Sequence, residues 1–429
     1  MLLKRASIIT HDNETTIVDI LLENNKIKQI APHIDIPQDE VIDLDGKLVI
    51  SGAIDVHVHL REPGYEDKET IATGSAAAAH GGFTTILAMP NVNPHPDNVE
   101  TLKHYQKDID TKAVVNVIPY ANITMNAMGK QLVDFDAIVK AGWRYFSDDG
   151  VGVQDEAMME KAMRAAYRNN AIIVAHTEDN TYLKAGACVN EGIASKRLGL
   201  VGIPNACEYA QVKRDLALAL KTKAAYHICH MSTKESVAAL REARAAGANV
   251  SGEVTTHHLL LNEEDVTGTL EKMNPPLRSR ADQQALIEGI KDGTIKIIAN
   301  DHAPHTVSDK AKPMNKAPFG IVSLETSLAL TYTELVDKDI ISKQHWQELI
   351  SYNPAQRFGL KNKGLIAEGY DADITVLETD IKAKIDIKQF VSKGINTPFN
   401  QRIVNCQVYM CIVNGKIVYN LAKEQSDER

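Results

Sequence analysis

The chain has 429 residues, of which 44% are hydrophobic and 24% charged, a composition typical of folded proteins and unlike that of disordered ones. Its 47 basic and 56 acidic side chains give a formal net charge of −9, which argues against a nucleic-acid partner. No apolar run approaches the roughly 18 residues of a membrane span, and charges at Lys4 and Arg5 come too early for a signal peptide.

The cysteines are dispersed, odd in number and never in C-x-x-C spacing. This pattern favours neither disulfides nor a thiolate zinc site, and it predicts a cytoplasmic protein. The five residues are Cys188, Cys207, Cys229, Cys406 and Cys411.

The first 50 residues are predicted to form short strands joined by turns. Asn24-Asn25 and Asp45-Gly46 have the residue types of tight turns. The predicted strands are Leu2–Ile9, Thr16–Leu22, Lys26–Ile30 and Val41–Leu44.

From Ser51 to about residue 340, short apolar runs alternate with helix-like segments. The runs are Ala53–Leu60, Thr84–Met89, Ala113–Tyr120, Arg144–Ser147, Ala171–Ala175, Ala224–Cys229, Asn249–Val254 and Ile295–Ala299. The clearest helical segments are Glu69–His80, Asp155–Asn169, Glu208–Leu220, Thr233–Ala246 and Ala281–Lys291. This alternation predicts an α/β fold with a (β/α)8 TIM-type barrel, and a doubly wound sheet is the alternative. The barrel is favoured because polar clusters follow several runs, where such barrels carry their active sites.

After Phe358 the pattern returns to strands and turns. Asp373–Leu377 is one predicted strand, and Asn414-Gly415 predicts a type I′ hairpin between Gln407–Val413 and Lys416–Tyr419. We therefore predict that residues 1–50 and 359–429 form one composite β module, with the barrel of residues 51–358 inserted between them.

The first barrel run contains two histidines that share one strand face. Alternation along Asp55–Arg61 places His57 and His59 on the same side, at a spacing that can hold one metal ion. By itself this motif is also explained by two hydrogen-bonded histidines at a barrel mouth.

Four further run ends carry imidazole or carboxylate groups. They are Ser147-Asp148-Asp149-Gly150, Ala175-His176-Thr177-Glu178, Cys229-His230-Met231-Ser232 and Asn300-Asp301-His302-Ala303-Pro304-His305. Their common position at strand ends predicts a metal centre. The candidate ligands are His57, His59, Asp149, His176, His230 and Asp301. This set is too large for one catalytic ion, which usually has three protein ligands, and it suits two ions.

These residues, in this order, resemble the amidohydrolase superfamily, and longer motifs resemble class I dihydroorotases over essentially the whole chain. The motifs are His57-Val58-His59-Leu60-Arg61-Glu62-Pro63-Gly64, Met89-Pro90-Asn91, Ser147-Asp148-Asp149-Gly150, Met273-Asn274-Pro275-Pro276-Leu277-Arg278 and Asn300-Asp301-His302-Ala303-Pro304-His305. The resemblance implies a metal-dependent cyclic amidase with a small flanking β-sandwich. Its expected reaction is the reversible cyclisation of N-carbamoyl-L-aspartate to L-dihydroorotate in pyrimidine biosynthesis.

The resemblance also implies a metal arrangement and a proton carrier. Two zinc ions are expected, the first held by His57, His59 and Asp301 and the second by His176 and His230. Asp149 and a hydroxide would bridge them, because the Asp-Asp-Gly element lacks the lysine that relatives carboxylate; Asp148 remains the competing bridge. Asp301 would also carry the proton.

Substrate contacts follow from the same resemblance. Arg61, Asn91 and His305 match positions that bind the substrate carboxylate, and His59 is expected to contact the substrate as well. Asn274 and the backbone of Phe319 and Gly320 match positions that contact the ring. Arg61 is expected on the strand face of His59, and an ion pair with Glu62 or Glu66 is the alternative for it.

Several interpretations remain open at this level. Dihydropyrimidinase or allantoinase activity is the enzymatic alternative, and a non-catalytic scaffold that binds aspartate transcarbamoylase is the other. A homodimer is expected from base rates, and association with aspartate transcarbamoylase is compatible with the resemblance. His257 and His258 either support the site or pack in the core, and Pro304–Pro318 is either a lid or an ordinary loop.

Overall fold

The computed structural model describes residues 1–10, 12–38 and 40–423. The last six residues of the predicted β module, 424–429, lie outside this range. The strands are β1 (Leu2–Ile9), β2 (Thr15–Glu23), β3 (Lys26–Ala31), β4 (Val41–Asp43), β5 (Leu48–Ser51), β6 (Ala53–Val58), β7 (Phe83–Ala88), β8 (Asn116–Pro119), β9 (Tyr145–Phe146), β10 (Ile172–Ala175), β11 (Val189–Asn190), β12 (Gly202–Ile203), β13 (Ala225–Ile228), β14 (Val250–Thr255), β15 (Ile297–Ala299), β16 (Ile374–Lys384), β17 (Ile403–Val413) and β18 (Lys416–Asn420).

Helices follow most of the inner strands. The α-helices are α1 (Ile71–His80), α2 (Val99–Lys112), α3 (Phe135–Lys140), α4 (Glu156–Arg168), α5 (Ile193–Leu198), α6 (Ala206–Thr222), α7 (Lys234–Ala245), α8 (Thr256–Leu260), α9 (Arg280–Lys291), α10 (Val307–Lys310), α11 (Leu324–Thr331), α12 (Lys343–Gln347) and α13 (Asn353–Arg357). Short 3-10 segments span Met125–Ala127, Asn180–Tyr182, Glu263–Asp265, Thr269–Glu271 and Ile387–Gln389, and π-helical segments span Tyr332–Val336 and Glu348–Tyr352. Among the described helices, none combines the length and apolar character that crossing a bilayer requires.

The inner strands form two parallel sheets. One has the order β6-β7-β8 and the other β15-β14-β13-β10-β9. Parallel bridges also join Val58 to His302 and Ala121 to Phe146, so each edge of the first sheet meets an edge of the second. Each of the eight predicted runs overlaps one of these strands. The chain is therefore an α/β protein with parallel strands, as the sequence predicted.

A third, larger sheet combines strands from both ends of the chain. Its order is β18-β17-β16-β5-β1-β2-β3, with β4 beside β1. The predicted turns Asn24-Asn25 and Asn414-Gly415 join antiparallel neighbours, and all four residues have positive φ, between 50° and 72°. This is the backbone conformation that a type I′ hairpin requires.

Two details of the predicted elements were wrong. Strand β16 continues to Lys384, well beyond the predicted end at Leu377, because it carries two register irregularities that disturb the alternation of the sequence. Strand β5 was not predicted; it pairs with β16 on one side and β1 on the other.

The carboxyl ends of the parallel strands position the candidate site. Apolar side chains of these strands pack into a buried cluster that includes Ile54, Val56, Leu87 and Val174. The polar residues that follow them, including the buried His176, come together at one end of the sheets because parallel strands end at the same edge.

Candidate active site

A cavity of about 170 Å³ opens at the carboxyl ends of the inner strands. It is lined by His59, Arg61, Asn91, Asp149, Gly150, His176, His230, Asn274, Asp301, Ala303, Phe319 and Gly320. Most of the predicted site residues therefore share one cavity. Two of them, His57 and His305, are buried beside it and do not line its wall.

Asp149 lies at the centre of the four predicted histidine ligands. Its Oδ1 is 3.5 Å from Nε2 of His57, 3.7 Å from Nδ1 of His176 and 3.8 Å from Nε2 of His230. Its Oδ2 is 3.6 Å from Nε2 of His59. One carboxylate thus faces four imidazole nitrogens, which come from three strand ends.

Asp301 completes the cluster on the other side. Its Oδ1 is 2.9 Å from Nε2 of His59 and 3.4 Å from Nε2 of His57. Burial would raise the pKa of Asp301, but His57 and His59 outweigh it and hold that pKa well below its usual range. Asp301 is therefore an ionised carboxylate at neutral pH and can accept a proton.

The buried atoms of this cluster fit divalent metal ions. Nε2 of His57 and Oδ1 of Asp149 are buried and have no hydrogen-bond partner among the described residues. Converging ligand atoms lie within 4.8 Å of one another in three groups: His57, His59 and Asp301; His57, Asp149 and His230; and His57, Cys229 and Glu253. Buried acceptors without donors are costly unless a cation satisfies them. Nitrogen and oxygen donors of this kind suit zinc and similar ions.

Asp148, the competing bridge, faces away from the histidines. Its Oδ1 accepts hydrogen bonds from the backbone N–H groups of Ile123, at 2.9 Å, and Thr124, at 3.2 Å. The hydroxyl of Thr124 donates to its other oxygen. These bonds give Asp148 a role in holding the chain after β8, and they leave Asp149 as the aspartate that meets the imidazoles.

A buried glutamate that the sequence analysis did not single out orients His57. Oε1 of Glu253, in β14, accepts a hydrogen bond from Nδ1 of His57 at 2.7 Å, and Oε2 accepts one from Nε2 of His227 at 2.9 Å. Burial would raise the pKa of Glu253, but His57 and His227 lower it to about 2. The signal available in the sequence was that Glu253 is the single acid within a predicted barrel run, because a buried carboxylate requires partners.

Asn91 orients His59 in the same way. Its Oδ1 accepts a hydrogen bond from Nδ1 of His59 at 2.8 Å, and its Nδ2 donates to the backbone oxygen of Asp149 at 3.0 Å. Nε2 of His59 is left to face Asp301. Asn91 thus lines the cavity and also holds two residues of the cluster in place.

His176 presents Nδ1, rather than Nε2, to the cluster. Its Nδ1 is 2.9 Å from Nε2 of His230, and its Nε2 is 3.8 Å from Oε2 of Glu178. The same Oε2 accepts a hydrogen bond from Nδ2 of Asn274 at 2.6 Å. Glu178, which the sequence analysis gave no role, therefore links a predicted ligand with a predicted substrate contact.

Arg61 reaches the cavity by a route that the sequence analysis did not predict. Strand β6 ends at Val58, and Arg61 has φ 62°, so strand alternation does not set its direction. Its Nε donates to the backbone oxygen of Pro304 at 3.3 Å.

The alternative of an ion pair for Arg61 is also wrong. No ion pair joins it to Glu62 or Glu66 in the described part of the chain: Glu62 pairs with Lys112, and Glu66 accepts from the backbone N–H of Gly64. The guanidinium is left with donors for a ligand in the cavity.

His305 supports the cavity wall from behind. Its Nε2 donates to the backbone oxygen of Phe319 at 2.7 Å. Burial, together with Arg61, lowers the pKa of His305 to about 3, so the imidazole is neutral at pH 7. The backbone N–H of Gly320 donates to the backbone oxygen of Lys272. Among the bonds that the structure describes, the backbone N–H of Phe319 has no acceptor, so it is the free donor of the predicted Phe319–Gly320 pair.

The two adjacent histidines of α8 are both buried. His258 bonds to the hydroxyl of Thr255 and the backbone oxygen of Pro275, whereas neither ring nitrogen of His257 has a partner in the described residues. His258 thus joins α8 to the segment that carries Asn274.

The donor set and the parallel fold define a class: the metal-dependent cyclic amidases of the amidohydrolase type. The L-hydantoinase (dihydropyrimidinase) of Arthrobacter aurescens matches this fold with a TM-score of 0.88 and 26% identity, over 98% of this chain and 96% of its own. The dihydropyrimidinase of Brevibacillus agri matches with a TM-score of 0.84 and 23% identity, over 98% and 95% of the two chains.

Sequence relatives narrow the class. The family model described as Dihydro-orotase-like matches residues 46–236. The dihydroorotase of Bacillus cytotoxicus is 48% identical over 420 residues, and that of Bacillus anthracis is 47% identical over 420 residues; both alignments cover 97% of this chain and 98% of the relative. The chain belongs to the dihydroorotase family.

Proposed function

We propose that this chain catalyses the reversible hydrolysis of L-dihydroorotate to N-carbamoyl-L-aspartate, with ring closure as the biosynthetic direction. The observation that carries the proposal is a single cavity that joins a metal-type donor set to the guanidinium of Arg61. The donor set suits amide hydrolysis, and the guanidinium suits a substrate that also bears a carboxylate.

The proposed cofactor is a pair of zinc ions. His57, His59 and Asp301 would hold one ion, His176 and His230 the other, and Asp149 would join them. When bound, such ions lower the pKa of water and polarise an amide carbonyl, which is the chemistry that cyclic amide hydrolysis needs. The central position of Asp149, within 3.8 Å of four imidazole nitrogens, supports this assignment.

The proton would be carried by Asp301. Its carboxylate lines the cavity and is ionised at neutral pH, so it can take a proton from the attacking water. It then delivers that proton to the ring nitrogen that leaves. In the biosynthetic direction it removes the proton from the attacking nitrogen and returns it to the departing water.

Substrate recognition is assigned to the wall above the cluster. Arg61 presents a planar fork that matches a carboxylate. Asn91 borders the same cavity and would also contact the carboxylate, whereas Asn274 and the backbone of Phe319 and Gly320, which border it too, would contact the ring. His305 would act on the carboxylate end of the pocket through the carbonyl of Phe319 that it holds.

The proposed architecture has two parts. The eight parallel strands, joined at both sheet edges by bridges, would close as a (β/α)8 barrel spanning residues 51–358. Residues 1–50 and 359–429 would form the flanking β-sandwich module.

The cytoplasm is the proposed location. A homodimer and association with aspartate transcarbamoylase stay predictions.

Hydrolysis of neutral cyclic amides is the second candidate, since the L-hydantoinase fold matches with a TM-score of 0.88. The two are separated by kcat/KM of the isolated, metal-loaded chain for L-dihydroorotate, dihydrouracil and hydantoin. We expect a strong preference for L-dihydroorotate, because it carries the carboxylate. Equal or better turnover of the neutral substrates would reject the proposal.

A further inference from the structure

Two buried lysines lie behind the Phe319–Gly320 wall of the cavity. Lys272 is 3% exposed and Lys310 is 6% exposed. Neither makes an ion pair with a carboxylate among the residues that the structure describes. A buried ammonium without a counter-ion is costly unless every N–H donor finds an acceptor. The acceptors of these two groups therefore indicate what they hold together.

Lys310 is fully satisfied by backbone oxygens. Its Nζ donates to the carbonyls of Gly320 at 2.9 Å, Pro318 at 3.1 Å and Lys272 at 3.3 Å. An ammonium has three N–H donors, so all of them are used. Two of the three bonds end on the turn that forms the cavity wall.

Lys272 holds the same turn from another side. Its Nζ donates to the carbonyls of Ala317 at 2.5 Å and Met314 at 2.7 Å. It also lies 4.3 Å from the centre of the Phe319 ring, within the range of a cation–π contact. Its backbone oxygen accepts from the N–H of Gly320 at 3.0 Å.

The turn has little room to settle elsewhere. Gly320 has φ 120°, and a Cβ at this position would lie 2.6 Å from the Cβ of Ala303. Ala303 follows the Asp301 strand end, so the wall sits directly against the segment that carries the proposed proton carrier. A shift of the turn would change the shape of the cavity.

We infer that Lys272 and Lys310 form a clamp that holds the Phe319–Gly320 turn as the substrate-facing wall, and that both are positioning residues for substrate binding. The inference rests on the proposed function for the identity of the substrate. The clamp also bonds to Met314, Ala317 and Pro318 in the Pro304–Pro318 segment, which the sequence left open as a lid or a loop. It touches none of the proposed metal ligands.

The test replaces each lysine with methionine, which keeps most of the apolar stem and removes the donors. In the metal-loaded enzyme, Lys272→Met and Lys310→Met should each raise KM for L-dihydroorotate about 10-fold, as expected for lost charged hydrogen bonds, and change kcat by less than about 3-fold. Metal content should not change. Lys316→Met, an exposed lysine of the same segment, is the matched control and should behave as wild type.

Hydrogen exchange of the 311–320 peptide, measured on the same samples, reports the clamp without any substrate. Exchange should be faster in both lysine variants and unchanged in Lys316→Met. Folded variants with wild-type KM and wild-type exchange would overturn the clamp, as would a loss confined to kcat.

Two further outcomes are kept apart by this design. If neither methionine variant folds, Lys310→Gln replaces them. We then expect a smaller rise in KM and faster hydrogen exchange of the 311–320 peptide. Wild-type KM and wild-type exchange in Lys310→Gln would again reject the clamp. If wild-type enzyme does not turn over L-dihydroorotate, the proposed function fails, while hydrogen exchange still decides for or against the clamp.

Discussion

Nδ1 of His57 donates a hydrogen bond to Oε1 of Glu253 at 2.7 Å, and this bond fixes which nitrogen of the imidazole faces Asp149. A carboxylate at neutral pH only accepts, so Nδ1 carries a hydrogen and Nε2 is the nitrogen that faces the cluster. Carboxylates commonly orient metal-binding histidines in this way. Glu253 therefore orients the imidazole of His57 for metal binding in the metal-free protein.

Removing that carboxylate should weaken metal binding. Glu253→Ala is expected to lower zinc affinity by about 10- to 100-fold, the usual cost of losing such a partner. Glu253→Gln should be milder, because its amide oxygen still accepts from Nδ1. Chelator competition gives the affinity. Ser251→Ala is the control, since it removes only the bond on the far side of His227, and wild-type affinity in Glu253→Ala would refute this role.

The two neighbouring aspartates should respond differently to substitution. Asp149→Ala should lose bound metal and activity together, because its oxygens face all four histidines. Asp148→Ala should retain both ions but unfold more easily, by about 1–3 kcal/mol, because backbone N–H groups lose their acceptor. Zinc per chain and the free energy of unfolding are the measurements. The reverse pattern would exchange the two roles.

A carboxylate bridge needs no carbon dioxide. Apoprotein reconstituted with Zn²⁺ should regain the same activity with and without added bicarbonate, since Asp149 supplies the oxygens directly. Specific activity after reconstitution in degassed buffer is the readout. A strong dependence on bicarbonate would indicate a carboxylated lysine and reject Asp149 as the bridge.

Asp301 should matter more for turnover than for binding. Asp301→Asn keeps the shape and one oxygen but cannot carry a proton, so kcat should fall by at least about 10²-fold, as is usual for general acid–base groups. KM and zinc content are measured alongside. Near-normal kcat with both ions bound would assign the proton transfer to another residue.

Lys310 should leave a signature in the pH dependence of stability. Burial, with a contribution from Lys272 and opposition from Glu271, lowers the pKa of Lys310 to about 8. An unfolded lysine titrates near about 10.4. Below about pH 8, Lys310 is protonated in both the folded and the unfolded chain, so it does not make the free energy of unfolding depend on pH.

Between the pKa of folded Lys310 and that of an unfolded lysine, the unfolded chain binds one more proton than the folded chain. The free energy of unfolding should therefore rise with pH in this range. The full rise from this one group is about 3 kcal/mol. Urea unfolding of wild type and Lys310→Met from pH 7.5 to 10.5 isolates it as the difference between the two curves. Parallel curves would show that the pKa of Lys310 is not lowered.

Local periodicity predicted most of the fold. The five predicted helices differ from the observed ones by at most two residues at either end. At the start of α7, Thr233 caps the helix, whereas the hydroxyl of the neighbouring Ser232 donates to Glu208. Such a contact joins residues 24 positions apart, and no local pattern reports it.

The site was predictable where strand ends determine it and less so elsewhere. His57 lies near the end of β6, and the other histidine ligands and Asp149 come within three residues after a strand, so the parallel fold brings them together. Arg61 comes after β6 has ended, and its positive φ, rather than strand alternation, sets its direction. Glu253 and Lys310 act through partners distant in sequence, which only the folded chain brings near.

Arg61 offers a direct test of substrate choice. Arg61→Lys keeps the charge but loses the paired hydrogen bonds, so kcat/KM for L-dihydroorotate should fall substantially while zinc content stays constant. Arg61→Met removes both charge and bonds and should nearly abolish that activity. Dihydrouracil, which lacks the carboxylate, should be much less affected.

The most direct measurement is the ratio of kcat/KM for L-dihydroorotate to that for dihydrouracil, in wild type and Arg61→Met with equal zinc content. We predict a large ratio in wild type that falls by about 10²-fold in the variant, the scale expected for losing charged hydrogen bonds to one carboxylate. A wild-type ratio near one, or a variant that loses both activities by the same factor, would contradict the account.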